Sequence, residues 1–262
     1  MIKKDNILNY LRDPKDKSVV ARVIDLLEAA AGEHQPQVSD FYDPYYRNLI
    51  NEVLPARMEV GYHWAGGYEE AERRRMVVYP HYFDSIHVDP QISCLKVSAN
   101  MKFHKLSHRD YLGAILALGI KREKVGDLLP AEDGCRFVVD AVVASYIAMN
   151  LYKIGKATVK VEPIRCDELS LPPEKVLEIK TTVSSLRLDA VCSAGYGVSR
   201  SEASGDISTE KVKLNWAVTT DAAKKISAGD IISTRGRGRI RVDQVLGETR
   251  KGRIGLIIKK YL

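Results

Sequence analysis

Three short stretches of this 262-residue sequence carry residue types at spacings suited to gripping a phosphate chain rather than to making or breaking bonds. Arg235-Gly236-Arg237-Gly238-Arg239 interleaves guanidiniums with glycine. Arginine offers anions a planar fork of donors, and glycine lets the backbone come close to a ligand. Ser199-Arg200-Ser201-Glu202 has the form of a capping box that opens a helix. A helix start there sets Arg200 beside unpaired N–H groups, so one place offers an anion both a cation and oriented donors. Lys211-Val212-Lys213-Leu214-Asn215 alternates basic and apolar residues, as a half-buried strand with one basic face does. With Arg187, the candidate polyanion-contacting set is Arg187, Ser199, Arg200, Ser201, Lys211, Lys213, Asn215, Arg235, Gly236, Arg237 and Arg239. For each cation the plain alternative is a solvated basic face.

Other reactive residue types make weaker patterns. His104 and His108 stand four apart, as metal ligands on a helix can, but Ser107 reads as a helix cap and leaves His104 outside that helix. His108-Arg109-Asp110 matches a kinase triplet without the glycine-rich loop or metal-binding partner that would give it meaning. The four cysteines, Cys94, Cys135, Cys166 and Cys192, include no CxxC pair, so neither a zinc site nor a disulfide framework is expected. Neither GxxxxGK[ST] nor GxGxxG occurs, and no Ser-His-Asp or Cys-His arrangement announces itself. No catalytic residue, metal or cofactor is assigned. The basic runs Arg73-Arg74-Arg75 and Lys121-Arg122-Glu123-Lys124 are read as solvated surface before RNA contact. The aromatics Tyr42, Tyr45, Tyr46, Tyr62, Trp64 and Tyr68 are read as core before base-stacking platforms.

Charge is distributed unevenly along the chain. Residues 1–75 sum to −2, residues 76–179 to 0, and residues 180–262, with 16 Lys+Arg against 8 Asp+Glu, to +8. A local excess inside a segment that keeps apolar periodicity is what a folded polyanion-binding module needs. Hydrophobic residues at 45% and charged residues at 28% exclude wholesale disorder. The longest apolar stretch, around Ala141 to Met149, is too short to span a bilayer, and the N-terminus lacks the apolar core of a signal peptide, so no membrane insertion and a reducing cytoplasm are expected.

These residues need elements to position them. Residues 1–75 are expected to be a helical domain, with helices through Val19 to Leu27, after Asp43-Pro44, and over Tyr68 to Arg75. Residues 76–165 alternate strands and helices, with strands at Met76 to Tyr79, Ile92 to Ala99, Arg136 to Asp140 and Thr158 to Ile164. Helices are expected after Ser107, over Lys121 to Leu129, and over Val142 to Tyr152, giving an RRM-like α+β sandwich. Residues 166–180, with Pro172-Pro173, read as a linker, and residues 181–262 as the last domain. There a first helix is expected to be capped by Ser184 or Ser185 and closed by Gly195. Gly205 weakens the second helix by about 1 kcal/mol relative to alanine.

The final third resembles the S-four RNA-binding domain through Arg187-Leu188-Asp189, Ser199-Arg200-Ser201-Glu202-Ala203, Lys211-Val212-Lys213-Leu214-Asn215, Ala228-Gly229-Asp230-Ile231-Ile232 and Arg235-Gly236, in that order. The opening region with Asp40-Phe41-Tyr42-Asp43-Pro44 and the stretch from His108 to Asp127 extend the likeness, so that nearly the whole chain resembles the YlmH family of bacterial proteins. The resemblance implies a helical N-terminal part, a middle RNA-binding-like domain and a C-terminal S-four-type domain whose two helices and following turn meet RNA. It also implies links to the large ribosomal subunit, rescue of stalled translation and cell division. The resulting expectation is a non-enzymatic protein that docks on structured rRNA or tRNA on a ribosomal particle, with possible protein partners for its first two domains. The alternative is an RNA-modifying enzyme targeted by the S-four module, because Arg187-Leu188-Asp189 also occurs around the catalytic aspartate of pseudouridine synthases. Within the S-four helix, Asp189 is read instead as a cap or local ion pair.

Overall fold

The computed structural model describes residues 4–55, 58–99, 106–169, 175–250 and 252–261. The chain divides into two compact units, residues 1–172 and residues 173–262.

The first unit opens with α1 (Lys4–Tyr10) and α2 (Pro14–Glu33). Asp13 caps α2 by accepting from the Lys15 backbone N–H at 2.7 Å, and Pro14 fills the first turn, where no N–H is needed. The three-and-four spacing of Val19, Val20, Val23, Ile24 and Leu27 then buries one face of that helix. After β1 (Gln37–Tyr42), Asp43 caps α3 (Pro44–Val53) in the same way, accepting from Tyr46 N–H at 3.1 Å. β2 (Val60–Ala65) and β3 (Arg74–Pro80) complete an antiparallel sheet in the order β1-β3-β2. Sequence periodicity missed β1 and β2. It also assigned Tyr68 to Arg75 to a helix and Met76 to Tyr79 to the middle sheet, whereas Arg74 and Arg75 begin β3 and pair with Tyr42 and Phe41 of β1.

The rest of the unit is β4 (Ile92–Ala99), α4 (His108–Ala117), β5 (Val125–Ala131), β6 (Gly134–Asp140), α5 (Ala141–Asn150), β7 (Lys153–Ile154) and β8 (Ala157–Ile164). Its five strands form an antiparallel sheet in the order β5-β6-β4-β8-β7. Tyr111, Ile115 and Ile147 of α4 and α5 pack on one face against Leu95, Val97, Phe137 and Val139. On the other face Phe41 of β1 packs against Cys94 and Val138. The α+β class and the helix-on-one-face layering agree with the sequence reading. The helix expected over Lys121 to Leu129 is instead a single 3-10 turn followed by β5, because Val125, Leu128 and their neighbours pair with β6. Pro163 lies inside β8, where β7 reaches only its first residues and leaves an edge that tolerates proline.

The expectation of no disulfide is overturned: Cys94 and Cys166 are bonded through their sulfurs. Spacing of 72 residues concealed a close neighbourhood, since the β4–β8 register sets Ile164 opposite Cys94 and brings Cys166 two residues beyond. Pro172-Pro173 lies outside the described residues. The expected linker gives way to strand by Val176.

The second unit contains β9 (Val176–Val183), α6 (Leu188–Tyr196), α7 (Arg200–Ser208), β10 (Val212–Leu214), β11 (Ala217–Val218), β12 (Ile231–Thr234), β13 (Gly238–Glu248) and β14 (Ile254–Tyr261). Its sheet runs β11-β10-β12-β13-β14-β9, antiparallel throughout. Ile232, Ile240, Val242, Leu256 and Ile258 point to one face and form a dry core with Leu188, Val191, Ala203 and Ile207 of the two helices. α7 runs through Gly205 without a break. α6 closes at Gly197, in the left-handed region at φ 69°, rather than at Gly195. Gly195 is needed for packing instead, since a Cβ there would stand 2.5 Å from Ile240 Cδ1.

Candidate nucleic-acid interface

The beginnings of α6 and α7 are joined by one carboxylate. Arg187 occupies the N-cap of α6 and Arg200 the first turn of α7. Asp189, only 4% exposed, accepts from both. Arg187 donates through Nε at 3.2 Å and Nη2 at 3.3 Å, and Arg200 through Nε at 3.0 Å and Nη2 at 3.1 Å. Burial opposes ionisation of Asp189, but the hydrogen bonds from Arg200 and Arg187 outweigh it and hold the carboxyl below its ordinary range. The two arginine side chains stay 43% and 47% exposed, so a pair of oriented guanidiniums faces water at two helix starts. Asp189 is thus a clamp, as the local ion-pair reading held, and both its oxygens are committed to guanidiniums.

Ser199 caps α7, accepting from Glu202 N–H at 3.1 Å. The reciprocal half of the expected capping box is replaced: the Glu202 carboxylate pairs with Arg237. Arg237 also donates to Asp206 at 2.8 Å, and Lys211 reaches the same carboxyl at 3.2 Å. These bonds, that from Arg237 first, hold Asp206 below its usual value. Gly236 and Gly238 turn the chain between β12 and β13 at φ 85° and 86°, which folds Arg237 back onto α7. Arg235, exposed at that turn, enters no ion pair among the described residues.

The remaining candidates do not join this side. Asn215 serves the fold, donating to Asp230 at 2.9 Å and accepting from Ile231 N–H at 2.9 Å. Lys213 and Arg239 both pair with Ser233 across the strands and so fall on the sheet face turned away from the helices. Arg239 lies over the Trp216 ring, 5.6 Å from its centroid. The contacting set therefore divides between two faces. Alternation along Lys211-Val212-Lys213 had signalled a basic face, but only pairing could show which one.

The basic runs of the first unit are drawn partly inward: Arg75 is buried, Arg73, Arg74, Arg122 and Lys124 are half-buried, and Lys121 is exposed as the solvated-surface reading expected. Arg75 is 2% exposed and donates to Ser39 O at 2.6 Å, Gln91 O at 2.6 Å and Asp140 at 3.1 Å. Arg73 donates to Val125 O and Phe41 O, and Lys124 pairs with Asp40 and Asp140. Burial lowers Arg122 to about 10. Tyr42, Tyr46 and Trp64 pack edge to face within the N-terminal core, as expected. Phe41 and Tyr68 cover part of the middle sheet's helix-free face, where Cys94, Val138 and Ile164 lie, the surface on which RRM-type folds stack bases. Cys135 and Cys192 are buried thiols pushed up to about 12, unsuited to nucleophilic work. His104 lies outside the described residues. Among those described, no cluster of three His, Cys, Asp or Glu residues could hold a metal.

Three family models match the chain: "YlmH, N-terminal" over residues 15–83, "Putative RNA-binding domain in YlmH" over residues 86–168, and "S4 domain" over residues 186–232. A curated relative, the Ribosome-associated protein quality control protein P2 of Bacillus subtilis (strain 168), is 32% identical over 236 residues, which cover 90% of this chain and 91% of that protein. This chain belongs to the YlmH family. The fold is also similar to a solved structure titled Cell division protein ylmH from Streptococcus pneumoniae, with a TM-score of 0.51 at 22% identity, over 61% of this chain and 98% of that one. In YlmH terms, β3 falls inside the N-terminal match, and the Asp189 clamp, Ser199 cap and Lys211–Lys213 strand fall inside the S4 match.

Proposed function

We propose that this YlmH-family chain is a non-enzymatic RNA-binding protein that docks on structured rRNA or tRNA, on the large ribosomal subunit, through the helix side of its S4 domain. The observation that carries the reading is the Asp189 clamp, which pre-orients Arg187 and Arg200 at two helix starts before any ligand arrives. Ser199 and Ser201, at the same helix start as Arg200, are further donors to a phosphate ribbon, and Arg235 is an exposed cation at the β12–β13 turn. The Bacillus subtilis relative is named as a ribosome-associated quality control protein, which supports the ribosomal particle as partner and service to stalled translation as the role. The neighbour's title supports a link to cell division.

The enzymatic alternative loses its candidate residue, because both Asp189 oxygens are committed to guanidiniums. Mass analysis of RNA incubated with the protein is expected to find no added mass or base isomer. A cytoplasmic location fits a ribosomal partner, and among the described residues no helix is long and apolar enough to cross a membrane. The cytosol keeps most thiols reduced; the Cys94–Cys166 link spans β4 and the end of β8, which their backbones already pair.

Co-sedimentation with ribosomal subunits over a salt series tests the reading. Affinity should fall steeply with salt, and Arg187→Gln with Arg200→Gln should weaken binding and reduce the slope of log K against log salt by about 0.7 to 0.9 per lost phosphate contact. Binding that ignores both salt and these substitutions would overturn it.

A further inference from the structure

The helix-free face of the C-terminal sheet carries a second set of cations. Strand register fixes which residues share it. Lys213, Ser233 and Arg239 stand opposite one another across β10, β12 and β13, and Ile231, Arg241, Lys259 and Glu178 across β12, β13, β14 and β9. Neighbouring strands lie about 4.8 Å apart and two residues along a strand span about 7 Å, so Lys213 and Arg239 stand about 10 Å apart, Arg239 and Arg241 about 7 Å, and Arg241 and Lys259 about 5 Å. Lys213 and Arg241 are exposed and enter no ion pair among the described residues. Lys259 and Lys180 each have one carboxylate partner, Asp243 and Glu178. Among the described residues, Lys213 and Arg241 thus add charge that no carboxylate offsets, while Lys180 and Lys259 are each matched by one. On the other side of the sheet, the carboxylates of Asp189, Glu202 and Asp206 offset most of the charge on Arg187, Arg200, Lys211 and Arg237.

The face carries an aromatic component. Trp216 holds the Arg239 guanidinium over its ring, and Tyr261 follows Lys259 by two residues on the same side of β14. An exposed basic sheet face with rings beside its cations suits a single strand, whose backbone the cations meet while its unpaired bases are free to stack.

We propose that this open sheet face is a second RNA-contacting surface, distinct from the helix side, and that it takes the sugar-phosphate backbone of a single-stranded RNA segment. The proposal rests on the RNA-binding reading above and adds to it the location and strandedness of a second contact.

Fluorescence anisotropy of the full chain with two probes, a 12-nucleotide oligouridylate and an RNA hairpin, tests it. Lys213→Glu with Arg241→Glu should weaken oligouridylate binding ~10-fold or more while leaving hairpin affinity within about twofold, since each lost phosphate contact removes a counterion-release contribution. Arg187→Gln with Arg200→Gln should do the reverse. Lys213→Arg with Arg241→Lys should restore oligouridylate binding, and unchanged thermal unfolding should show that the charge-reversed chain is folded. If the open-face variant binds oligouridylate like the wild type, or if the helix-side variant abolishes both probes, the second surface is refuted while RNA binding stands. A wild-type chain that binds neither probe overturns both readings.

Discussion

Asp189 and Arg75 are each a single ionised side chain on which several backbone and side-chain groups converge. Asp189 holds two arginines in place at once, so Asp189→Asn removes a charge and leaves two guanidiniums to find water. Because those guanidiniums are already half exposed, the loss is expected to be about 1–2 kcal/mol, below the cost of breaking a fully buried pair. Urea unfolding should show the shift, and RNA affinity should fall with it; unchanged values of both would reject the clamp. Arg75 is the stronger case. It is enclosed on all sides and joins β1, β3, Gln91 and Asp140, with its guanidinium 5.5 Å from the Phe41 ring centroid. Arg75→Leu would strand the Asp140 carboxylate and two carbonyls, with only Lys124 left as an ionic partner among the described residues. A destabilisation of about 3 kcal/mol or more is expected, read as a lower denaturation midpoint. A midpoint within experimental error of the wild type would show that the cation is dispensable.

At the scale of elements, turns and caps decide where the site residues stand. Ser199 was readable as a cap from the spacing Ser199-Arg200-Ser201-Glu202, and the structure keeps that bond. β6 was readable as a strand, but β5 was not, because its short apolar run fits a helix as well as a strand until β6 supplies a partner. Gly134 begins β6 at φ 137°, and a Cβ there would stand 1.9 Å from the Val97 carbonyl oxygen. Gly134→Ala should therefore cost about 1–3 kcal/mol for the backbone conformation alone, with the contact adding to it. Hydrogen exchange should quicken along β4 and β6; normal protection in both strands would contradict the argument. Arg73-Arg74-Arg75 illustrates the converse. A basic run reads as surface because lone buried cations are expensive, yet here carbonyls from four segments and the Asp140 carboxylate satisfy it.

Across the whole molecule, carboxylates held by cations set the response to acid. Asp140, Asp189 and Asp206 lie below their ordinary values, and Asp133, bonded by Arg136 and Lys96, is lowered to about 2. A carboxyl depressed in the folded state contributes stability that is complete above its ordinary pKa and disappears as pH falls through the folded value. Asp127 acts in the opposite sense, since burial raises it despite hydrogen bonds from Tyr68 and the backbone of Arg73 and Glu72. Asp110, bonded by Ser107, is lowered as well, and with five groups against one, stability should decline from about pH 4 towards about pH 2. Urea midpoints that stay flat over that window would refute it. The sequence by itself determined the basic excess of the last third, the capped helix starts and the order of the S4 landmarks, because each is a local or compositional property. Only tertiary structure decided which cations are available to a ligand, since antiparallel pairing sends Lys213 and Arg239 to one face of a sheet and the helices to the other. Partners far along the chain decided the rest: Asp140 and Gln91 took Arg75 into the interior, and the β4–β8 register brought Cys94 to Cys166, neither of which any local spacing encodes.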